Sequence, residues 1–291
     1  MSPTALDTVL TRDEWRSLED AHHERADLLT ADHRARAARA EKHPVEDFLF
    51  TYYSYKPALL RRWHPGAGVE LSDAAAEPRA GWRWYVPGET AGGLRVDAAA
   101  FATDKPELFA LCERMLRLTA ARPAQFGCFG LHEWAMVYRT PEHRHAVPLR
   151  LGGRGTDDVV DAHELRCTHI DAFRFFTDDA APRNRFTPTR ETQPLMEQPG
   201  CLHAGMDVYK WAMKLGPLVP GDLLLDSFEL ARDIRVLDMR ASPYDLAAWG
   251  YAPVAIETAE GKAEYVRRQR GFTERSQALR TRLLDALAPA A

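Results

Sequence analysis

The sequence is short of the features that mark several common protein classes. It holds only four cysteines, Cys112, Cys128, Cys167 and Cys201, and no two of them form a Cys-x-x-Cys pair. That spacing argues against a disulfide framework and against a structural zinc knuckle, and it reads as reduced thiols in a cytoplasmic protein. No apolar run approaches the roughly 18 residues of a membrane span, so no membrane partner is expected. The N-terminal segment lacks the basic stretch and apolar block of a secretory signal. A basic surplus is missing too: 38 Lys and Arg stand against 42 Asp and Glu, a net charge of −4. Proteins that grip duplex nucleic acid draw much of their affinity from phosphate contacts, so this balance weighs against duplex DNA and less against a free nucleoside or nucleotide. Internal repeats and low-complexity linkers are also missing, and nothing in the chain marks an obligate protein partner.

What is present is the balance of an ordinary folded chain, with 45% hydrophobic and 27% charged residues over 291 positions. Such a length can bury a substantial core in one domain. Thr11 to Lys42 reads as a long N-terminal helix on the periphery, with Thr11 as cap and Glu14 as its capping-box partner. Val45 to Trp63 is dense in aromatics on nearly every side and reads as a buried helix, ended by His64-Pro65-Gly66. Residues 81–86 and 94–97 have strand composition around Pro-Gly and Gly-Gly turns, which predicts a hairpin. Asp104 to Ala121 returns to helical spacing, with Asp104 as its expected cap. Leu149 to Leu151 and Leu165 to Phe176 read as strands, and 178–200 as a long loop with four prolines. Helices follow over Leu202–Lys214, Gly221–Asp238 and Ala259–Leu287. The expected architecture is α+β: one mainly helical domain, 1–291, with a small antiparallel sheet.

Four local constellations can carry chemistry, all between residues 127 and 245. In Gly127-Cys128-Phe129-Gly130-Leu131-His132-Glu133-Trp134, glycines allow close approach to a ligand, and Glu133 beside Trp134 is a carboxylate against an aromatic wall, a setting that tunes its pKa. In Cys167-Thr168-His169-Ile170-Asp171, a strand puts His169 and Asp171 on one face. With His203 as third ligand, that pair forms a candidate 2-His-1-carboxylate site for iron or another divalent metal. On the helix after Pro199, residues His203, Asp207, Lys210, Trp211 and Lys214 form one polar stripe containing a tryptophan, as expected of a cavity lining. Last, acids and arginines alternate from Glu229 to Asp245. There Asp238, Arg240 and Tyr244 leave the helix together, and a carboxylate just past a helix end can be a preorganised catalytic group.

The strings HPVEDFLFTYYSY (43–55), FGCFGLHEWAMVYR (126–139), LRCTHIDAFRFFT (165–177), EQPGCLHAGMDVYKWAMKL (197–215) and LARDIRVLDMRASPYDL (230–246) together span most of the chain. By them the sequence resembles a bacterial family commonly labelled 3-methyladenine DNA glycosylase. The resemblance implies a DNA-repair hydrolase that needs no cofactor and releases an alkylated purine from damaged DNA or a related nucleoside or nucleotide. Such an enzyme stacks the base on aromatic faces and stabilises an oxocarbenium-like sugar with a carboxylate. Asp238, Glu133 or Asp171, aided by His169, is then the catalytic group. Tyr52, Tyr53, Trp134, Trp211, Tyr244, His203, Asp207 and Arg240 line the substrate. Helix-hairpin-helix glycosylases carry a glycine-rich hairpin upstream of a catalytic aspartate, and here Leu215 to Gly221 holds that place, with Asp238 downstream. It departs from the usual pattern in Pro217 and Pro220, which lack amide donors for a phosphate. Three functions of different class are therefore carried forward: this N-glycosylase, a metal-dependent non-haem-iron-type oxygenase or hydrolase acting on a small molecule, and a non-catalytic small-molecule-binding protein.

Overall fold

A computed structural model describes residues 8–141 and 146–290. The chain begins with β1 (Thr8–Leu10) and enters α1 (Arg12–Ala38) through Thr11. The expected capping box is present: Thr11 N donates to Glu14 Oε2 at 2.8 Å while the Thr11 hydroxyl accepts from Glu14 N. Only one stripe of α1 is buried, led by Trp15, whose indole N–H donates to Ser72 O at 2.9 Å.

The expected helix over 45–63 is instead two short pieces, α2 (Phe48–Tyr52) and α3 (Pro57–Leu60). The break is physical. Ser54 takes φ +60, a left-handed conformation a helix interior does not hold. Pro57 then lacks the amide an uninterrupted helix would use and sits in the first turn of the new one.

β2 (Val69–Leu71), β3 (Tyr85–Pro87) and β4 (Leu94–Val96) complete the sheet. β3 and β4 pair antiparallel as the hairpin composition predicted, and β2 pairs antiparallel with β4. β1 adds a parallel edge, Thr8 opposite Val69, giving the order β1-β2-β4-β3. Three-residue strands carry too little period-two pattern to be seen in sequence.

Helices α4 (Ala98–Asp104) and α5 (Pro106–Ala120) follow. Asp97, not Asp104, caps the first of them, accepting from Ala100 N at 2.8 Å. Asp104 closes α4 and accepts from the Trp84 indole instead. After α6 (Leu131–Ala135) comes α7 (Gly152–Asp161), an unexpected helix because its start, Gly-Gly-Arg-Gly, is poor helix former. The two expected strands on either side of α7 reduce to isolated bridges, Leu149 with Tyr244 and Leu165 with Asn184. Residues 170–173 form α8 (Ile170–Phe173), with His169 as its cap, and α9 (Gln193–Met196) interrupts the proline-rich loop.

Three long helices make the centre: α10 (Leu202–Leu215), α11 (Gly221–Arg240) and α12 (Ala259–Leu287). α10 and α11 make the most extensive helix contact, and α12, α5 and α1 close around them. One large apolar cluster runs through all of these elements, from Trp15 and Leu60 to Leu230, Ile234 and Leu283, so the described residues form a single domain. Among them, no helix is long and apolar enough to cross a membrane.

Candidate metal centre

Between α6, α10 and α11 the apolar core is interrupted by a buried polar cluster. Gly130, at φ +73, turns the chain sharply into α6, and a side chain there would press on Tyr265 and Ala241. The short helix then projects His132 and Glu133 inward, both under 5% exposed. From α10 comes His203, and from the end of α11 come Arg235 and Asp238, one turn apart. His132, His203 and Asp238 offer ligand atoms that all lie within 4.8 Å of one another. The His132 and His203 rings meet edge to face at 4.6 Å.

The geometry inside this triad is unusual for a hydrogen-bonded pair. His132 Nε2 lies 3.0 Å from Asp238 Oδ1 and both atoms are buried. The two attract as charges, and against burial Asp238 raises the His132 pKa well above 6.5, but their angles are poor for a hydrogen bond. The far sides of both groups are held. His132 Nδ1 faces the Cys128 thiol at 3.7 Å, and Asp238 Oδ2 accepts from Arg235 at 3.0 Å. Arg235 also donates to Glu133 at 2.9 Å, so Glu133 serves the cluster through the guanidinium. His203 makes no side-chain hydrogen bond among the described residues, and burial holds its pKa well below 6.5, so it stays neutral with a lone pair to give. A recess of about 10 Å³ adjoins the triad, lined by Cys128, Cys167, Cys201, His132 and His203. That is room for about one water-sized occupant.

This chemistry fits a divalent ion. Ligands about 2.1 Å from a common ion, at the angles of tetrahedral or octahedral coordination, stand about 3.0–3.4 Å apart. Two imidazoles and one carboxylate are the donor set of non-haem iron and of many zinc hydrolases. Two of the three outer contacts match as well: Arg235 hydrogen-bonds the far oxygen of Asp238 and His132 Nδ1 faces the Cys128 thiol, whereas His203 has no such partner among the described residues.

A second cluster lies one layer outward and has a different character. His169 Nε2 approaches Glu197 Oε1 at 2.9 Å and Asp207 Oδ2 at 3.5 Å, and its ring is 5.4 Å from that of His203. His169 Nδ1 faces the Asp171 amide at 3.3 Å as the cap of α8, which turns Nε2 toward the carboxylates. Lys210 caps Asp207, and Gln193 donates to Glu197 at 2.5 Å. Burial opposes charge on His169, but Glu197 and Asp207 outweigh it and raise its pKa to about 9. Protein cations already neutralise this cluster, and it is a proton-bearing network.

The remaining expected site residues are scattered. Asp171 does not join His169 and His203 as a ligand: with 165–176 not a strand, it sits in the first turn of α8 and takes Arg190 and Lys210 instead. Tyr53 donates to Asp207 at 2.9 Å, and Tyr52 lines an open cleft beside it. Trp134, fully buried, donates to Ala241 O, and Trp211 is under Lys210 in the core. Tyr244 belongs to a separate apolar cluster with Val45 and Val137. Arg240 binds Ala252 O at the edge. His132, Glu197, Arg235 and Gln193 were not singled out from sequence. His132 stands next to Glu133 in the very string that was, but a short helix gives no face to choose between them.

The segment 215–221 also has a defined environment. Leu218 O accepts from Ala67 N, Gly221 N donates to His64 O, and Pro220 packs on Gly66. The hairpin is thus engaged by the chain that precedes β2, and its one amide at the helix start is already used.

Comparison with protein-family models, with curated proteins and with solved structures finds no match to the chain.

Proposed function

We propose that the protein is a metal-dependent enzyme acting on a small molecule, an oxygenase or hydrolase whose single divalent ion is held by His132, His203 and Asp238. The carrying observation is the buried convergence of His132, His203 and Asp238, whose ligand atoms lie within 4.8 Å of one another, with His132 Nε2 and Asp238 Oδ1 3.0 Å apart at angles poor for a hydrogen bond. Buried polar groups paired with poor geometry are incompletely satisfied unless a further partner joins them. A bound ion would supply Lewis acidity or an activated water at neutral pH. Around it, Arg235 fixes the free oxygen of Asp238, Cys128 orients the His132 ring, and the apolar wall excludes bulk water. The His169, Glu197 and Asp207 network stands next to His203 and can take or return a proton. The test is elemental analysis of protein purified without chelator, on wild type and on His132→Ala and Asp238→Asn. About one iron, manganese or zinc per chain, lost in both variants, is expected, and zinc, which has no redox chemistry, would exclude the oxygenase. No stoichiometric metal in the wild type overturns the reading.

The N-glycosylase implied by the resemblance is the second reading. What favours it is the open cleft walled by Tyr52 and Tyr53, two rings set edge to face at 5.0 Å, since an extruded base stacks on such faces. Asp238, however, is fully buried, and the recess at His132 and His203 measures only about 10 Å³, too small for a purine without rearrangement of the chain around it. Base release from alkylated DNA or a nucleoside, lost in Asp238→Asn, would carry this reading, and no release from either would end it.

A further inference from the structure

Beside the buried cluster the surface opens into a cleft of about 520 Å³, with Tyr52, Tyr53, Tyr55 and Phe175 on its walls. Its charges are unbalanced. Arg174, Arg190, Lys210 and Lys214 all line it, with Asp171 as the one acid in the lining. Three of the four cations converge on that single carboxylate: Arg190 and Lys210 contact it from either oxygen, and Arg174 stands at 3.7 Å. Lys210 also caps Asp207 beneath the floor. Lys214 has no ion-pair partner among the described residues. Counting Asp207 with Asp171, four cations face two carboxylates, which leaves two positive charges in a concave, partly apolar site.

We propose that this cleft binds a small aromatic oxyanion, a molecule with one flat ring and one carboxylate or phosphate group. The size fits, since ligand pockets run from about 300 to 1,000 Å³. The aromatic walls supply faces for a ring, and guanidinium groups match the oxygens of carboxylate and phosphate in pairs. Tyr52 adds a neutral donor: burial first, then Asp171 and Asp207, push its hydroxyl pKa to about 12. The cleft floor also communicates with the buried centre. Tyr53 and Lys210 both contact Asp207, Asp207 contacts His169, and the His169 ring stands 5.4 Å from His203. A bound anion in contact with Lys210 therefore competes with Asp207 for its ammonium and shifts the charge felt by His169. The inference deepens the metal-enzyme reading by naming its substrate class, and it rests on that reading only for the fate of the bound molecule.

The test is isothermal titration calorimetry of the full chain with benzoate, phenyl phosphate and neutral benzyl alcohol, alongside the double variant Arg174→Glu/Lys214→Glu. Both substituted side chains are exposed, so folding is expected to survive, and metal content is measured on the same samples. The expected result is that at least one anion binds tenfold or more tighter than benzyl alcohol, that the double variant loses about tenfold for that anion, and that benzyl alcohol is unchanged. The tighter of the two anions names the oxyanion. Anions binding no better than the alcohol, or a double variant that binds them as the wild type does, would overturn the proposal. Because binding and metal content are read separately, anion binding in a metal-free protein would sink the metal reading and leave this one standing.

Discussion

His132 Nε2 and Asp238 Oδ1 stand 3.0 Å apart in a buried site, attracted as charges but at angles poor for a hydrogen bond. α6 and the end of α11 hold them there from opposite sides, with Cys128 behind one and Arg235 behind the other. A similar contact recurs between His169 Nε2 and Glu197 Oε1 at 2.9 Å, but there amide and ammonium donors already occupy Glu197 and Asp207.

Removing the ion should lower stability as well as metal content. A ligand that binds only the folded state at 100 times its dissociation constant adds about 2.7 kcal/mol. Thermal melts with and without a strong chelator should therefore separate in the wild type. They should coincide in His203→Ala, which has lost a ligand. Coincident melts in the wild type would count against the site.

Arg235 makes a second prediction. Its side chain is 2% exposed and bridges Glu133 and Asp238 while its guanidinium lies 3.9 Å from the Phe48 ring centre. Arg235→Leu strands two buried carboxylates, and breaking such a network from one side costs about 3–5 kcal/mol. Glu133→Gln removes only one charge and keeps an acceptor, so its loss in chemical denaturation should be clearly smaller. Equal losses would mean that the guanidinium is not the keystone of the cluster.

How much of this was legible in the sequence follows from length. α1, α10, α11 and α12 run for 14 residues or more, long enough for helical spacing and caps to show. Thr11 with Glu14 is the clearest case, a local signal with a local effect. The metal triad is the opposite case. His132, His203 and Asp238 are 71 and 35 residues apart along the chain, and nothing local joins them. The pairing of His169 with Asp171 was plausible because a strand alternates its side chains. It does not form because the His169 side chain caps α8, and that helix turns Asp171 toward Arg190. The polar stripe on α10 was legible, and its tryptophan did mark an inward face. Its ends differ: His203 meets the buried triad, while Lys214 reaches the open cleft.

Two glycines on α12 should respond in opposite directions to alanine. A Cβ on Gly271 meets nothing within 4 Å, and the residue is exposed in mid-helix, so Gly271→Ala should add about 0.5–1 kcal/mol. A Cβ on Gly261 would lie 1.9 Å from Ala255 O, and a backbone atom cannot swing aside. Gly261→Ala should lose at least about 1–3 kcal/mol through displacement of the chain before the helix. Urea midpoints decide both, and a stabilised Gly261→Ala would show that the approach of Ala255 is not required.

His64 gives a pH dependence whose sign can be worked out. It lies under the Pro220 turn, with Nδ1 2.8 Å from the Tyr85 hydroxyl. Burial raises the Tyr85 pKa, so the phenol keeps its proton and donates it, which requires a neutral imidazole. Burial first, then Arg62 and Arg79, lower the His64 pKa from 6.5 to about 3. The unfolded chain thus binds a proton at this position at a pH where the folded chain does not. Stability from this group is complete above 6.5 and is lost as pH falls from 6.5 toward about 3, by at most about 1.4 kcal/mol per unit. His64→Phe removes the titrating group, at the cost of the Tyr85 hydrogen bond. Denaturation across pH 7 to 4 should give a flatter slope in His64→Phe than in the wild type, whatever its absolute stability. Parallel slopes would mean that His64 is protonated in the folded protein, and that the Tyr85 hydroxyl points elsewhere.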